Sequence, residues 1–174
     1  EACREVDGLV VVVAPDRVDM PQAMRLRFGI TKLRAVHPGT DRRLSNLTHA
    51  LESFDDDVRW AVVLETGRPT VGVQMISETL KTATRTGAAC VAEPISDSVF
   101  LVSGRTSRRL ETKVQPWVLR SPRAYRVDVL RKALALAARK RFDGPDESAW
   151  VEAAGATVRL LPPLRPPVHL RTAD

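Results

Sequence analysis

Residues 8 to 14 read GLVVVVA, and this run decides the fold class. A near-continuous β-branched stretch is the pattern of a strand buried on both faces in a parallel sheet, not of a half-exposed alternating strand. Parallel strands need crossover helices, and the next residues supply them. DRVDMPQAMRLRFG (16–29) has helical spacing with Asp16 placed to cap it, and TKLRAV (31–36) returns as a second, weaker strand. TDRRLSNLTHALESF (40–54) sets Leu44, Leu47, Thr48 and Leu51 at helical intervals, with Thr40 or Asp41 as the N-cap. WAVVL (60–64) is another buried strand, VGVQMISETLKTATRTG (71–87) a helix closed by Gly87, and AACVAEP (88–94) a strand stopped by proline. The order βαβαβαβ gives an α/β fold.

The alternation then breaks. Residues 95–119 alternate polar and apolar side chains around Ser-Gly-Arg, which reads as a β-hairpin projecting from the sheet. YRVDVLRKALALAARKR (125–141) and DESAWVEAAG (146–155) read as helices, and ATVRLL (156–161) as a last strand. The prolines of PPLRPPVHLRTAD remove backbone donors and prevent either element from continuing. At 174 residues and 19.2 kDa the chain fits a single domain over 1–174, with 95–119 as an arm.

No apolar stretch approaches the roughly 20 residues of a membrane span, and EACREVDG has neither the basic nor the apolar region of a secretory signal, so a cytoplasmic location is expected. Cys3 and Cys90 are too far apart to suggest a disulfide framework, and Cys90 lies in an apolar strand pattern that marks it as core. His37 and His49 have no partners at zinc-ligand spacing. Trp117 and Trp150 read as core. The net charge of +6 favours anionic partners. Arg108-Arg109, Arg139-Lys140-Arg141 and Arg165 read as solvated surface and not as a nucleic-acid interface, because aromatics at 5% leave few stacking platforms.

One strand ends in VVLETGRP (62–69), which presents Glu65 and Arg68 around a glycine. In open parallel sheets ligands bind beyond the carboxyl ends of the strands. A carboxylate there can hold magnesium, and a guanidinium can bind phosphate through paired hydrogen bonds. The plainer alternative is that the two pair with each other, or that Arg68 anchors its loop.

The order of segments resembles the methylerythritol phosphate cytidylyltransferase family over nearly the whole chain. Its His-Asp-Ala-Ala-Arg-Pro loop is similar to Leu64-Glu65-Thr66-Gly67-Arg68-Pro69, and its Gly-Gly-x-x-Arg-x-x-Ser-Val to Pro38-Gly39-Thr40-Asp41-Arg42-Arg43-Leu44-Ser45-Asn46. Pro-Val-x-Asp-Thr-x-Lys resembles Pro94-Ile95-Ser96-Asp97-Ser98-Val99-Phe100, and Trp-x-x-x-Thr-Pro-Gln-x-Phe resembles Trp117-Val118-Leu119-Arg120-Ser121-Pro122-Arg123-Ala124-Tyr125. Thr-Asp-(Asp/Glu)-Ala-Ser resembles Pro145-Asp146-Glu147-Ser148-Ala149.

The resemblance implies a three-layer, Rossmann-like nucleotidyltransferase fold with a mostly parallel sheet. It implies transfer of CMP from CTP to methylerythritol 4-phosphate in isoprenoid precursor biosynthesis, aided by Mg2+. Gly39, Thr40, Ser45 and Thr66 would bind nucleotide. Arg68 and Glu65 would be catalytic, with Glu65 in the metal position and Arg68 on phosphate. Ser98, Lys113, Ser121 and His169 would bind the small phosphorylated substrate, and the hairpin arm would make a homodimer.

Some family features have no match within residues 1–174. The Gly-rich loop with its arginine and lysine is one, along with the strand that carries it. That strand lies mid-sheet, so the sheet is expected to show unpaired edges on both sides of the gap. The family's Asp-Asn-x-Lys stands against Pro166-Pro167-Val168-His169, and its hairpin lysine against Phe100. Two alternatives follow: a protein acting on another nucleotide or acceptor, and a catalytically inactive homologue serving as a dimeric interaction module.

Overall fold

The valine run forms β1 (Leu9–Val13), paired in parallel with β2 (Leu33–Pro38) through α1 (Asp19–Phe28), which follows a 3-10 turn at Pro15–Arg17. The structure is a computed structural model that describes residues 2–65, 67, 71–111, 113–142 and 144–164. Contrary to expectation, every residue of β1 is half-buried and not enclosed on both faces. The reason is its place in the sheet. Among the described residues β1 and β2 form a two-stranded sheet, so one edge of β1 has no strand beside it.

The chain continues through α2 (Arg43–Glu52), β3 (Trp60–Val63), α3 (Val73–Thr86), β4 (Ala88–Pro94), β5 (Phe100–Ser103) and β6 (Thr106–Arg109). It ends with β7 (Trp117–Arg126), α4 (Val127–Lys140), α5 (Glu147–Ala153) and β8 (Arg159–Leu161). Gly87 closes α3 in the left-handed region, with its N–H donating to the Ala83 carbonyl. Neither Thr40 nor Asp41 caps α2. Arg42 holds the N-cap position and no side chain accepts from the first turn.

The second sheet runs β3-β7-β4-β8 and corrects the expected topology in one respect. β7 lies antiparallel between β3 and β4, while β4 and β8 are parallel, so the α/β sheet is mixed. Residues 117–119, read as hairpin, and Tyr125-Arg126, read as helix, all belong to this central strand. Among the described residues β3, like β1, pairs on one side only.

Period-2 alternation along β4 and β7 builds the three layers. Ala88, Cys90 and Tyr125 face α4 and α5, where they pack with Leu130, Leu134, Trp150 and Val151. Ala89 and Ala124 face α3, beside Ala83 and Leu80. Leu51, with Leu44 and Leu47, brings α2 onto the α4 side. Trp150 is core as expected, but Trp117 is 44% exposed, because it starts β7 at the base of the arm.

Cys90 is fully buried, and burial pushes its thiol up to about 11. A thiol whose folded pKa is raised stabilises the fold fully below its unfolded value and loses that contribution as pH rises through the folded one. In a Cys3→Ser background, a disulfide-exchange reagent at pH 8 is therefore expected to modify Cys90 only at the rate of unfolding. Rapid modification of the native protein would contradict the packing.

Candidate functional site

Two features meet beyond the carboxyl ends of the strands. The first is a cleft of about 550 Å³ at the ends of β1 and β2, lined by Val12, Val13, Ala14, Gly39, Thr40 and Asn46 among others. Its floor is a tight backbone approach. The Gly39 N–H donates to the Val13 carbonyl at 2.6 Å, and a Cβ on Gly39 would stand 3.2 Å from that oxygen and 3.1 Å from Val12 Cγ1. Its rim is fixed by Asn46, whose Oδ1 accepts from the Thr40 N–H at 2.7 Å and whose Nδ2 donates to the Thr40 carbonyl at 2.9 Å. The Thr40 hydroxyl in turn accepts from the Arg42 N–H.

Of the residues expected to bind nucleotide, Gly39 and Thr40 line the cleft wall. Ser45 does not; it sits half-buried on α2, and Asn46 lines the cleft instead. Sequence reasoning missed Asn46. The available signal was an amide six residues after Thr40, able to bond both of its backbone groups. Replacing Gly39 with valine is expected to abolish ligand binding in the cleft and to destabilise the fold by about 1–3 kcal/mol through overpacking. Melting curves with and without nucleotide would read both effects, and a valine variant that binds as wild type would remove Gly39 from the site.

The second feature is a cluster of charges between α2, β3, β7 and α5. Alternation along β7 turns Arg123 and Tyr125 toward α5. There the Tyr125 hydroxyl bonds Ser148 Oγ at 2.6 Å, and Arg123 Nη1 donates to Glu147 Oε1 at 3.0 Å. Arg123 Nη2 also donates to Glu65 Oε1 at 3.1 Å and lies 3.6 Å from Asp146 Oδ2. Arg43, on the first turn of α2, donates through Nε to Glu147 Oε2 at 2.8 Å and stands 3.8 Å from Glu65. Glu147 has no exposed surface. Burial pushes its carboxyl up, but Arg123 and Arg43 outweigh this and hold it below the ordinary carboxylate value. Burial alone would lower Arg123, yet Glu147 and Asp146 keep its guanidinium even more firmly protonated than usual.

Several expectations change here. Ser121 is buried and accepts from the Glu65 N–H at 3.1 Å, which ties it to the backbone at the end of β3. Asp146 caps α5 through the Ser148 and Ala149 N–H groups. Ser98 and Lys113 are exposed. Thr66, Arg68 and His169 lie outside the described residues. The expected magnesium position at Glu65 does not fit the residues present, because its carboxylate is already engaged by Arg123. Among the described residues no three His, Cys, Asp or Glu side chains are placed to hold a metal ion.

A Gly-floored cleft at the ends of β1 and β2 and a charged cluster at the end of β3 in the mixed sheet define a Rossmann-like domain of the nucleotidyltransferase kind. The family model for 2-C-methyl-D-erythritol 4-phosphate cytidylyltransferase matches residues 1–168, and the chain belongs to that family. It is 31% identical over 163 residues to the 2-C-methyl-D-erythritol 4-phosphate cytidylyltransferase of Desulforamulus reducens, covering 92% of this chain and 70% of that one. A bifunctional IspD/IspF enzyme of Desulforudis audaxviator is 34% identical, and the match covers 90% of this chain and 40% of that enzyme. Among solved structures, the Thermus thermophilus cytidylyltransferase superposes with a TM-score of 0.74 at 18% identity, covering 95% of this chain and 93% of that one. The corresponding synthase of Anaerococcus prevotii gives 0.81 at 15% identity, over 92% and 71% of the two chains. These superpositions establish the fold.

Proposed function

We propose that the chain carries the cytidylyltransferase reaction of its family. CMP passes from CTP to methylerythritol 4-phosphate, in the cytoplasm, as a step in isoprenoid precursor biosynthesis. The acceptor's phosphate oxygen forms a bond to the α-phosphorus of CTP, the bond to the β-phosphate breaks, and pyrophosphate leaves. What supports this reading is the cleft at Gly39 and Thr40, whose volume suits a nucleoside. Its Gly39 floor lets the ligand approach the backbone closely, and its rim is held by Asn46 before any ligand arrives. Such preorganisation is where the protein contributes to the rate, since phosphoryl transfer is mostly positioning and neutralisation of charge.

The arm supplies the second half of the proposal. Every residue of β5 and β6 is exposed, including Phe100, Leu101 and Val102. A lone two-stranded hairpin is at best marginal in water. A second copy of this chain gives it a surface to pack on and brings Ser98 and Lys113 to the partner's substrate phosphate.

Thermal unfolding with CTP, ATP, GTP and UTP tests the nucleotide reading. A ligand at about 100 times its Kd adds about 2.7 kcal/mol, a rise of several degrees for a domain of this size. CTP is expected to give the largest shift. No shift with any of the four would overturn the reading. One observation favours a second reading, a dimeric interaction module without catalysis: Glu65 is tied to Arg123 and not left open to ligand. That reading predicts a dimer by light scattering together with flat nucleotide responses.

A further inference from the structure

Three carboxylates converge on one guanidinium. Glu65, Asp146 and Glu147, from the end of β3 and the start of α5, lie 3.1, 3.6 and 3.0 Å from the terminal nitrogens of Arg123. Hard divalent cations draw oxygens together from separate elements, but as they stand among the described residues these carboxylates are not placed to share a metal ion. Here the centre is filled by a side chain whose own surface is 6% exposed. We infer that Arg123 is the resident cation of this site, a guanidinium standing where a divalent metal would otherwise sit, with Glu65 its counter-ion and not a metal ligand.

Charge and geometry both support the assignment. With Arg43 and Arg123 present, two positive groups face three carboxylates, leaving a formal charge of −1. Without Arg123 the same residues would carry −2, which a divalent ion neutralises. Arg123 cannot be displaced cheaply, because a buried guanidinium leaving its partners strands Glu147 in a dry site. Nor can it step aside by losing its proton. The Glu65 N–H bond to Ser121 fixes the backbone from which that carboxylate reaches Arg123, so the pair is set by the main chain as well as by attraction. Arg43 completes the arrangement from the cleft side. It binds the other oxygen of Glu147, which leaves Glu147 bridging two guanidiniums.

The consequence for the proposed reaction, which rests on that reading, is that CTP binds without any metal held by Glu65. The decisive experiment needs no turnover. Free Mn2+ is titrated with the full chain and followed by electron paramagnetic resonance. Wild type is expected to take up no more Mn2+ than Glu65→Gln does up to about 1 mM, the range of weak oxygen-ligand sites. Arg123→Ala is expected to gain at least about tenfold in Mn2+ affinity, and Arg123→Lys, which keeps the charge, to gain nothing. If Arg123→Ala does not fold, Arg123→Gln carries the same test with the side-chain volume retained. Uptake by wild type that is lost in Glu65→Gln overturns the inference, as does a folded Arg123 variant that binds no better than wild type. CTP melting curves in chelator and in Mg2+ separate the two proposals. Equal shifts agree with Arg123 as the cation, whereas a shift that needs both Mg2+ and Glu65 overturns it and leaves nucleotide binding standing. No shift in either condition overturns the nucleotide reading, and the Mn2+ titration still decides the inference.

Discussion

Glu147→Ala is expected to destabilise the protein by about 3–5 kcal/mol, the cost of breaking a buried ion pair by removing one partner, since Arg123 then keeps only the less buried Glu65 and Asp146. For a domain of this size that lowers Tm by roughly 6–20 °C, measurable by calorimetry or circular dichroism. Glu147 accepts from Arg123 on one oxygen and from Arg43 on the other, so no neighbouring carboxylate can take over both bonds without moving. Glu147→Gln keeps the shape and part of the hydrogen bonding and should cost less. The pH dependence has a definite sign. A carboxyl held below its ordinary value when folded contributes stability above about pH 4.5 and loses it as pH falls through the lower folded value. Denaturant midpoints followed from pH 6 downward should therefore fall for wild type, with this component missing from Glu147→Gln. Identical acid profiles would show that the cluster does not hold Glu147 as described.

Trp150 gives the second large effect. It is 1% exposed in the main core cluster, against Leu130, Val151 and the C-terminal part of α4. Trp150→Ala is expected to cost about 3–5 kcal/mol. Trp150→Phe should cost far less than its lost area suggests. The indole Nε1 is buried with no acceptor among the described residues, lying beneath Gly144, where a Cβ would come within 2.9 Å of it. An unsatisfied donor of this kind costs about 1–3 kcal/mol, and phenylalanine removes it. Urea titrations of the two variants give the comparison directly. Equal losses would mean that Nε1 has a partner and that the packing alone matters.

Elements whose signals are local could be read from the chain alone. The β-branched run of β1, the glycine that closes α3, the proline that stops β4 and the Gly104 turn of the arm each announce themselves within a few residues. β7 does not. Its middle, Arg120-Ser121-Pro122-Arg123, looks like a loop, and it is strand because distant residues satisfy its charges: Glu93 pairs with Arg120, and Glu147 and Glu65 with Arg123. A β-irregularity at Cys90/Val91 opposite Ser121-Pro122 also absorbs the proline, which has no N–H to give the ladder.

The candidate site divides in the same way. Gly39 and Thr40 were singled out through the likeness to the family's Gly-Gly-x-x-Arg segment, and they line the cleft at the end of β2. Arg43 and Glu147 were not, since they are 104 residues apart and meet only after α2 and α5 have packed against the same sheet. Glu65 was singled out as a carboxylate open to a ligand, and in the fold Arg123 of β7 donates to it. A carboxylate at the end of a strand suggests an open ligand, and nothing local in the sequence says that a guanidinium from β7 will reach it first.

β7 carries one more implication. The strand that begins at the foot of the arm with Trp117 is the strand that holds Arg123 in the charged cluster, six residues further on. At about 3.3 Å per residue the two are roughly 20 Å apart along a single rod. The arm and the cluster thus share one ruler: lengthening the tip of the arm beyond Phe100 and Arg109 leaves that measure untouched, while a residue inserted between Trp117 and Arg123 shifts the arm and the charged cluster relative to each other.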